Sequence, residues 1–295
     1  MLSVVPYALD PIPWTLSRMP PSDLTDFSRL AIHTMTTKPW SLRQCVDGYV
    51  RAGVKGISVW RNVIEPIGAA EAGRMLGDSG LKVCALVRGG FFAAAGAQDR
   101  QKAIDENRRC IDEAAAIGAG MVVLVGGAVP GMPLAEARRQ IGEGIAAVMP
   151  HAAARKVRLA IEPLHPMYAA DRSAINTMAQ ARAICEELRS SWLGIACDVY
   201  HVWWDPALEE EIALAGRQGT LFAFHVCDWR VNTRDLLNDR GLMGEGCINL
   251  RQIRGWVEAA GFGGFNEVEI FSTERWAGDQ AKYVEQIKEA YVRHT

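Results

Sequence analysis

No stretch of this 295-residue chain approaches the ~20 consecutive apolar residues that a membrane-spanning helix needs. Its opening, MLSVVPYALDPIPW, lacks a basic flank followed by a long apolar core, so no secretory leader is expected. Charge of one sign is scarce too. A formal net charge of −2 removes the electrostatic basis for nucleic acid or an anionic membrane as main partner. Cysteine occurs seven times, an odd number, never in a CxxC pair. These read as reduced thiols, and the expected location is the cytoplasm. A Gly-Lys-Ser/Thr phosphate loop is missing, so GGAVPG at 126–131 reads as a plain turn.

What is there is alternation. With 49% hydrophobic and 22% charged residues, the chain can bury a large core. Residues 1–28 are Pro-rich and irregular, expected to form an N-terminal cover. From 29 to 295 short apolar runs alternate with amphipathic stretches. The runs are Leu30–Thr34, Gly56–Trp60, Leu81–Val87, Met121–Val125, Val157–Glu162, Leu193–Asp198, Leu221–Val226 and Phe265–Ile270. Few charges interrupt them, as in strands buried on both faces. The helical stretches lie near 41–52, 65–79, 99–118, 133–155, 176–190, 207–216, 249–260 and 279–293. Ser41, Asn176 and Asn249 are candidate N-caps, and Gly53, Gly80, Gly118 and Gly261 candidate ends. Eight βα units in one series predict a single-domain (β/α)8 TIM barrel. An open doubly wound sheet needs a Gly-rich loop after the first strand, where HTMTTKPW stands instead.

Four of the runs end on metal-ligand types: VRLAIE at Glu162, LGIACD at Asp198, LFAFH at His225 and FNEVE at Glu269. Barrel enzymes place their chemistry at strand C-termini. A strand-end Asp can merely cap the next helix, and a strand-end His can merely bond a carbonyl. Four such residues on four consecutive strands describe one site. Carboxylates with a single imidazole suit one divalent metal, Mn²⁺ first, with Mg²⁺ or Co²⁺ as alternatives. Glu267 shares the face of Glu269 and is the competing ligand; Glu269 is nearer the strand end.

Two histidines lie three residues beyond ligands: His165 in EPLHP and His201 in DVYH. His165 sits in a Pro-stiffened loop suited to a direct catalytic role. His201 reads equally as a substrate contact or as a group orienting a carboxylate. Further candidates on strand-end loops are His33, Lys38, Trp60, Arg61, Arg88, Trp229 and Arg230, with His33, Trp60, Trp229 and Arg230 as expected substrate contacts. The long insertion DWRVNTRDLLNDRGLMGEGCI after His225 is expected to cover the site.

At these strand ends the chain resembles the sugar isomerase/epimerase superfamily of xylose-isomerase-like barrels, from about residue 30 to 290. The resemblance implies a metal held by Glu162, Asp198, His225 and Glu269. DxxH at Asp198 and His201 is similar to ketose 3-epimerases, which implies a substrate contact for His201 and proton exchange by the two glutamates. Their downstream arginine corresponds approximately to Arg230. IEPLHPMYAADRSAINT at 161–177 resembles, more narrowly, the catalytic α-subunits of C-glycoside deglycosidases. That implies a 3-keto C-glycoside substrate, His165 as base and a small β-subunit.

The shared chemistry is proton transfer next to the ketone of a keto-sugar. Reprotonation gives an epimer or an isomer, and loss of a β-substituent gives elimination; the ligand set leaves all three open. Elimination is the expected outcome, with epimerisation or isomerisation as the alternative. Expected partners are a sugar or glycoside substrate, with a small β-subunit and a homo-oligomer as further candidates. A multi-zinc endonuclease of the same barrel type needs more than six histidines and a basic face. A phosphosugar enzyme needs a dedicated phosphate site, and the sequence shows only scattered arginines.

Overall fold

The computed structural model describes residues 23–295. The first 22 residues of the expected cover lie outside them. Residues 23–29 have no regular structure, and Leu24 and Phe27 pack against the core. The elements then follow in strict alternation: β1 Leu30–His33, α1 Leu42–Arg51, β2 Gly56–Trp60, α2 Ala69–Ser79, β3 Lys82–Gly90, α3 Ala97–Ala116, β4 Met121–Val125, α4 Leu134–Arg155, β5 Arg158–Glu162, α5 Met178–Leu188 and β6 Leu193–Asp198. After β6 come a single turn α6 Val199–Val202, α7 Leu208–Arg217 and β7 Leu221–Val226. A hairpin, β8 Asp228–Trp229 with β9 Arg240–Gly241, precedes α8 Leu250–Ala259, β10 Asn266–Val268, α9 Thr273–Trp276 and α10 Gln280–His294.

Eight parallel strands close in the order β1-β10-β7-β6-β5-β4-β3-β2. This is the (β/α)8 barrel that the alternation predicts. Local chemistry sets its punctuation. Ser41 and Gln44 form a reciprocal capping box on α1, and Asn249 caps α8. The cap of α5 is Thr177, not Asn176. Asn176 instead ties down the preceding loop by donating to Leu164 O and Ser173 O. The four expected helix-ending glycines all have positive φ, between 73° and 89°.

Side chains alternate across each strand, and this places the site. One face of the strands packs against the helices in a continuous apolar layer. A separate cluster on the other face is built largely from small residues: Ala85, Val123, Ala160, Ala196 and Ala223 among them. Glu162, Asp198 and His225 each lie two residues after one of these alanines. The ligand layer therefore sits one pleat above a floor of alanines. Register aligns it: Asp198 opposes His225, and His225 opposes Glu267. Among the described residues no helix is long and apolar enough to cross a membrane.

Candidate active site

Glu162, Asp198, His225 and Glu269 bring one ligand atom each within 4.8 Å of one another. All four are buried. Glu162 and Glu269 line a cleft of about 250 Å³ at the C-terminal ends of the strands. His225 Nδ1 is 3.0 Å from Glu162 Oε1.

Three carboxylates in one buried spot repel each other, and the perturbations register this. Burial, with Glu269 and Glu162 nearby, pushes Asp198 up to about 7 despite the guanidinium of Arg240. His225 is pushed up to about 10: burial alone lowers it, but the hydrogen bond to Glu162 and the carboxylates around it outweigh that. Positive charge stabilises a buried set of this kind. Its donors, hard oxygens with one imidazole at mutual ligand spacing, fit a divalent ion.

Glu267 and Glu269 occupy different levels. Glu269 lines the cleft. Glu267 lies beneath, hydrogen-bonded by Ser58 and 3.4 Å from His33 Nε2. His33, Glu267 and His225 form a second close group at that lower level. His33 is fully buried there and contacts Glu269 Oε1 through Nδ1 at 2.9 Å. It is placed to orient a ligand rather than to line the cleft. Trp60 does line it, as do His201, Lys38 and Arg88.

His201 sits on α6 with Nδ1 accepting the His165 backbone N–H at 3.2 Å. Burial and Arg240 hold its ring neutral, well below the usual imidazole range. His165 itself is outside the cleft lining. Its Nδ1 accepts the Met167 N–H, and its ring packs 5.0 Å from Trp229 and 5.8 Å from Trp204. Trp229 is also outside the lining, stacked on Tyr200 at 4.6 Å. Arg61 pairs with Glu106 and Glu113 on the outer helix α3.

The 228–248 insertion folds over the strand ends, contributing Leu237, Asn238 and Arg240 to the cleft. Arg230, the arginine that the resemblance matched approximately, instead joins Glu245 and Glu274 at 2.9 Å, away from the ligands. Arg240 occupies the site. Its Nη1 donates to Asp198 Oδ2 at 2.9 Å and Glu269 Oε2 at 3.1 Å, and Nη2 is 3.2 Å from His201 Nε2. The rings of Tyr200 and Phe271 hold the guanidinium at 4.3 and 4.8 Å. Two anchors fix the insertion. At its base, Asp228 accepts the N–H groups of Trp229, Gly244, Gly246 and Ile248 at 2.8–3.0 Å. Near its far end, the hydroxyls of Tyr168 and Tyr200 both donate to Leu236 O. Sequence reasoning missed Arg240, Arg172, Tyr168, Phe271 and Trp276. The insertion offers three arginines, and only the fold selects among them.

Residues 46–288 match the family model of the xylose isomerase-like TIM barrel. Among solved structures, protein SMc04130 from Sinorhizobium meliloti 1021 is 50% identical, with a TM-score of 0.87, covering 90% of this chain and 98% of that one. IolI protein with a bound zinc atom is 19% identical at a TM-score of 0.78, covering 90% and 96%. The 3-keto-D-glucoside 4-epimerase YcjR from E. coli is 16% identical at 0.72, covering 90% and 98%. At such identities the last two share the fold alone. No curated protein matches the chain.

Proposed function

This chain belongs to the xylose isomerase-like TIM-barrel family, and we propose that it is a divalent-metal-dependent isomerase or epimerase moving a proton next to the ketone of a keto-sugar. The observation that carries this is the convergence of Glu162, Asp198, His225 and Glu269 within 4.8 Å at the base of a cleft that both glutamates line. Mn²⁺ is the ion proposed, with Mg²⁺ and Co²⁺ as alternatives, on the hardness of the donors.

When bound, such an ion would polarise a ketone and its neighbouring hydroxyl, so that the C–H on the hydroxyl-bearing carbon is more readily deprotonated. The chain's own groups do the rest. Glu162 and Glu269 come from opposite ends of the ligand arc, β5 and the end of β10. One carboxylate oxygen takes the proton from carbon, and a proton returns from the other glutamate on the opposite face. His33 and Arg240 hold Glu269 in position. His201 and Arg240 reach the cleft with groups that can bond sugar hydroxyls, and Trp60, Phe271 and Trp276 wall it against water.

A second reading is favoured by the 161–177 segment: β-elimination from a 3-keto C-glycoside, with His165 as base and a small β-subunit as partner. It requires His165 to leave its packing on Trp229 and Trp204. One experiment separates the readings. Metal-stripped protein is reloaded with Mn²⁺, Mg²⁺ or Co²⁺ and incubated with free ketoses and 3-keto glycosides in D₂O. Proton transfer predicts deuterium beside the ketone with the skeleton intact; elimination predicts a released aglycone. Absence of bound metal, or of both products, refutes the proposal.

A further inference from the structure

The cleft holds more positive charge than its ligand set can use. Glu162, Asp198 and Glu269 bring three negative charges at most. A dication and the guanidinium of Arg240 balance them. Three further cations line the same cleft: Lys38 from the loop after β1, Arg88 near the end of β3 and Arg172 from the loop before α5. Among the described residues none of them has a carboxylate within ion-pair distance or a side-chain hydrogen bond. The remaining carboxylates of the lining are the two ligand glutamates.

Aromatic rings hold these cations in place without neutralising them. Arg88 lies 4.6 Å from the Phe91 ring and 5.8 Å from Trp60. Arg172 lies 5.0 Å over Tyr168, and Lys38 4.6 Å over Trp276. Stacking leaves the N–H edges of a guanidinium free to donate. Arg88 is half-buried, and its protonated form is disfavoured first by that burial and then by the charge of Arg172. The two guanidiniums thus share one neighbourhood, where a bound anion would relieve both penalties.

Resting on the keto-sugar reading above, we propose that the substrate carries an anionic group, a carboxylate or a phosphate, seated between Arg88 and Arg172 while its ketone end faces the ligand set. Two guanidiniums on one anion give charge-assisted hydrogen bonds that a neutral hydroxyl cannot match. Lys38, exposed at the rim, adds a point charge that draws anions in.

The test uses Mn²⁺-loaded full-length protein and three probes: D-fructose, D-fructose 6-phosphate and 5-keto-D-gluconate, titrated by calorimetry. At least one anionic probe should bind roughly 10- to 100-fold tighter than fructose, the range expected for a charge-assisted hydrogen bond. The order of the two anionic probes tells phosphate from carboxylate. The Arg88→Gln/Arg172→Gln double variant should bring the ratio to about one with its manganese content unchanged. Arg172→Gln alone, on a loop, should lose part of it and serves if the double variant does not fold. Equal binding of fructose and both anions, no binding of any probe, or a preference that is undiminished in Arg172→Gln overturns the proposal. Metal content is measured first on each sample. A protein that takes none of Mn²⁺, Mg²⁺ and Co²⁺ sinks the functional reading by itself, and the anion preference is then read on the metal-free protein with the same titrations.

Discussion

Replacing Arg240 by Met tests whether charge, rather than shape, is what this side chain supplies. Met keeps much of the stem and its packing between Tyr200 and Phe271. It removes the donors to Asp198 and Glu269. Breaking a buried ionic network by deleting one partner costs about 3–5 kcal/mol. Asp198, pushed up to about 7, can take a proton and limit that cost, so the low end, about 3 kcal/mol, is expected for the metal-free protein. For a chain of this size that is roughly a 5–10 °C fall in melting temperature. With saturating Mn²⁺ the dication neutralises the same carboxylates, leaving a repacking loss of about 1 kcal/mol, or roughly 2–3 °C. The assay is a pair of thermal melts for each protein, one in chelator and one in Mn²⁺. The difference between the two deficits is the readout. If Arg240→Met is equally destabilised with and without metal, the electrostatic reasoning fails and Arg240 is a packing residue.

Three further outcomes are expected. Asp198→Ala should abolish activity and weaken metal uptake while leaving the far-ultraviolet circular dichroism intact, because the apolar layer between strands and helices is untouched; loss of the fold would refute the separation of site from core. Metal affinity should rise as pH increases from 6 to 8, because a proton on Asp198 (pushed up to about 7) and one on His225 (about 10) must leave before both can ligate. Calorimetry in buffers of different ionisation enthalpy should detect proton release, and none would contradict the ligand assignment. Asp228→Ala should leave four backbone N–H groups without their acceptor. Hydrogen exchange should then accelerate across 228–248 and kcat/KM fall roughly 10-fold or more, whereas unchanged exchange would show that Asp228 does not organise the insertion.

The barrel and the grouping of the four candidate ligands were legible because a strand's period of two is written directly in the sequence. An alanine two residues before Glu162, Asp198 and His225 marks the inward face. Boundaries failed where backbone contact decides them. The third strand runs on to Gly90, beyond the expected Val87, because a glycine there has no Cβ to strike Val125 O, only 1.8 Å from where one would lie. Adjacency along the chain misled in the loops. His165 is three residues from Glu162, yet it caps the turn at Pro166 and packs on Trp229. Arg230 is five residues from His225, while Arg240, fifteen away, returns to the ligands across the hairpin. Such a return is set by Asp228 and by two tyrosines gripping Leu236 O, contacts with no local signature.

The position of Arg240 ties two equilibria into one. The same guanidinium closes the hairpin over the cleft and occupies two of the carboxylates that the proposed metal would use. Binding free energies that share a group are reciprocal: whatever factor metal loading imposes on the order of the insertion, ordering imposes on metal affinity. With a metal bound as proposed, sequence changes in the outer, exposed part of the insertion, around Val231 and Leu236, would retune its affinity without altering a ligand. A lineage could adjust to the metals its surroundings supply by editing a surface loop.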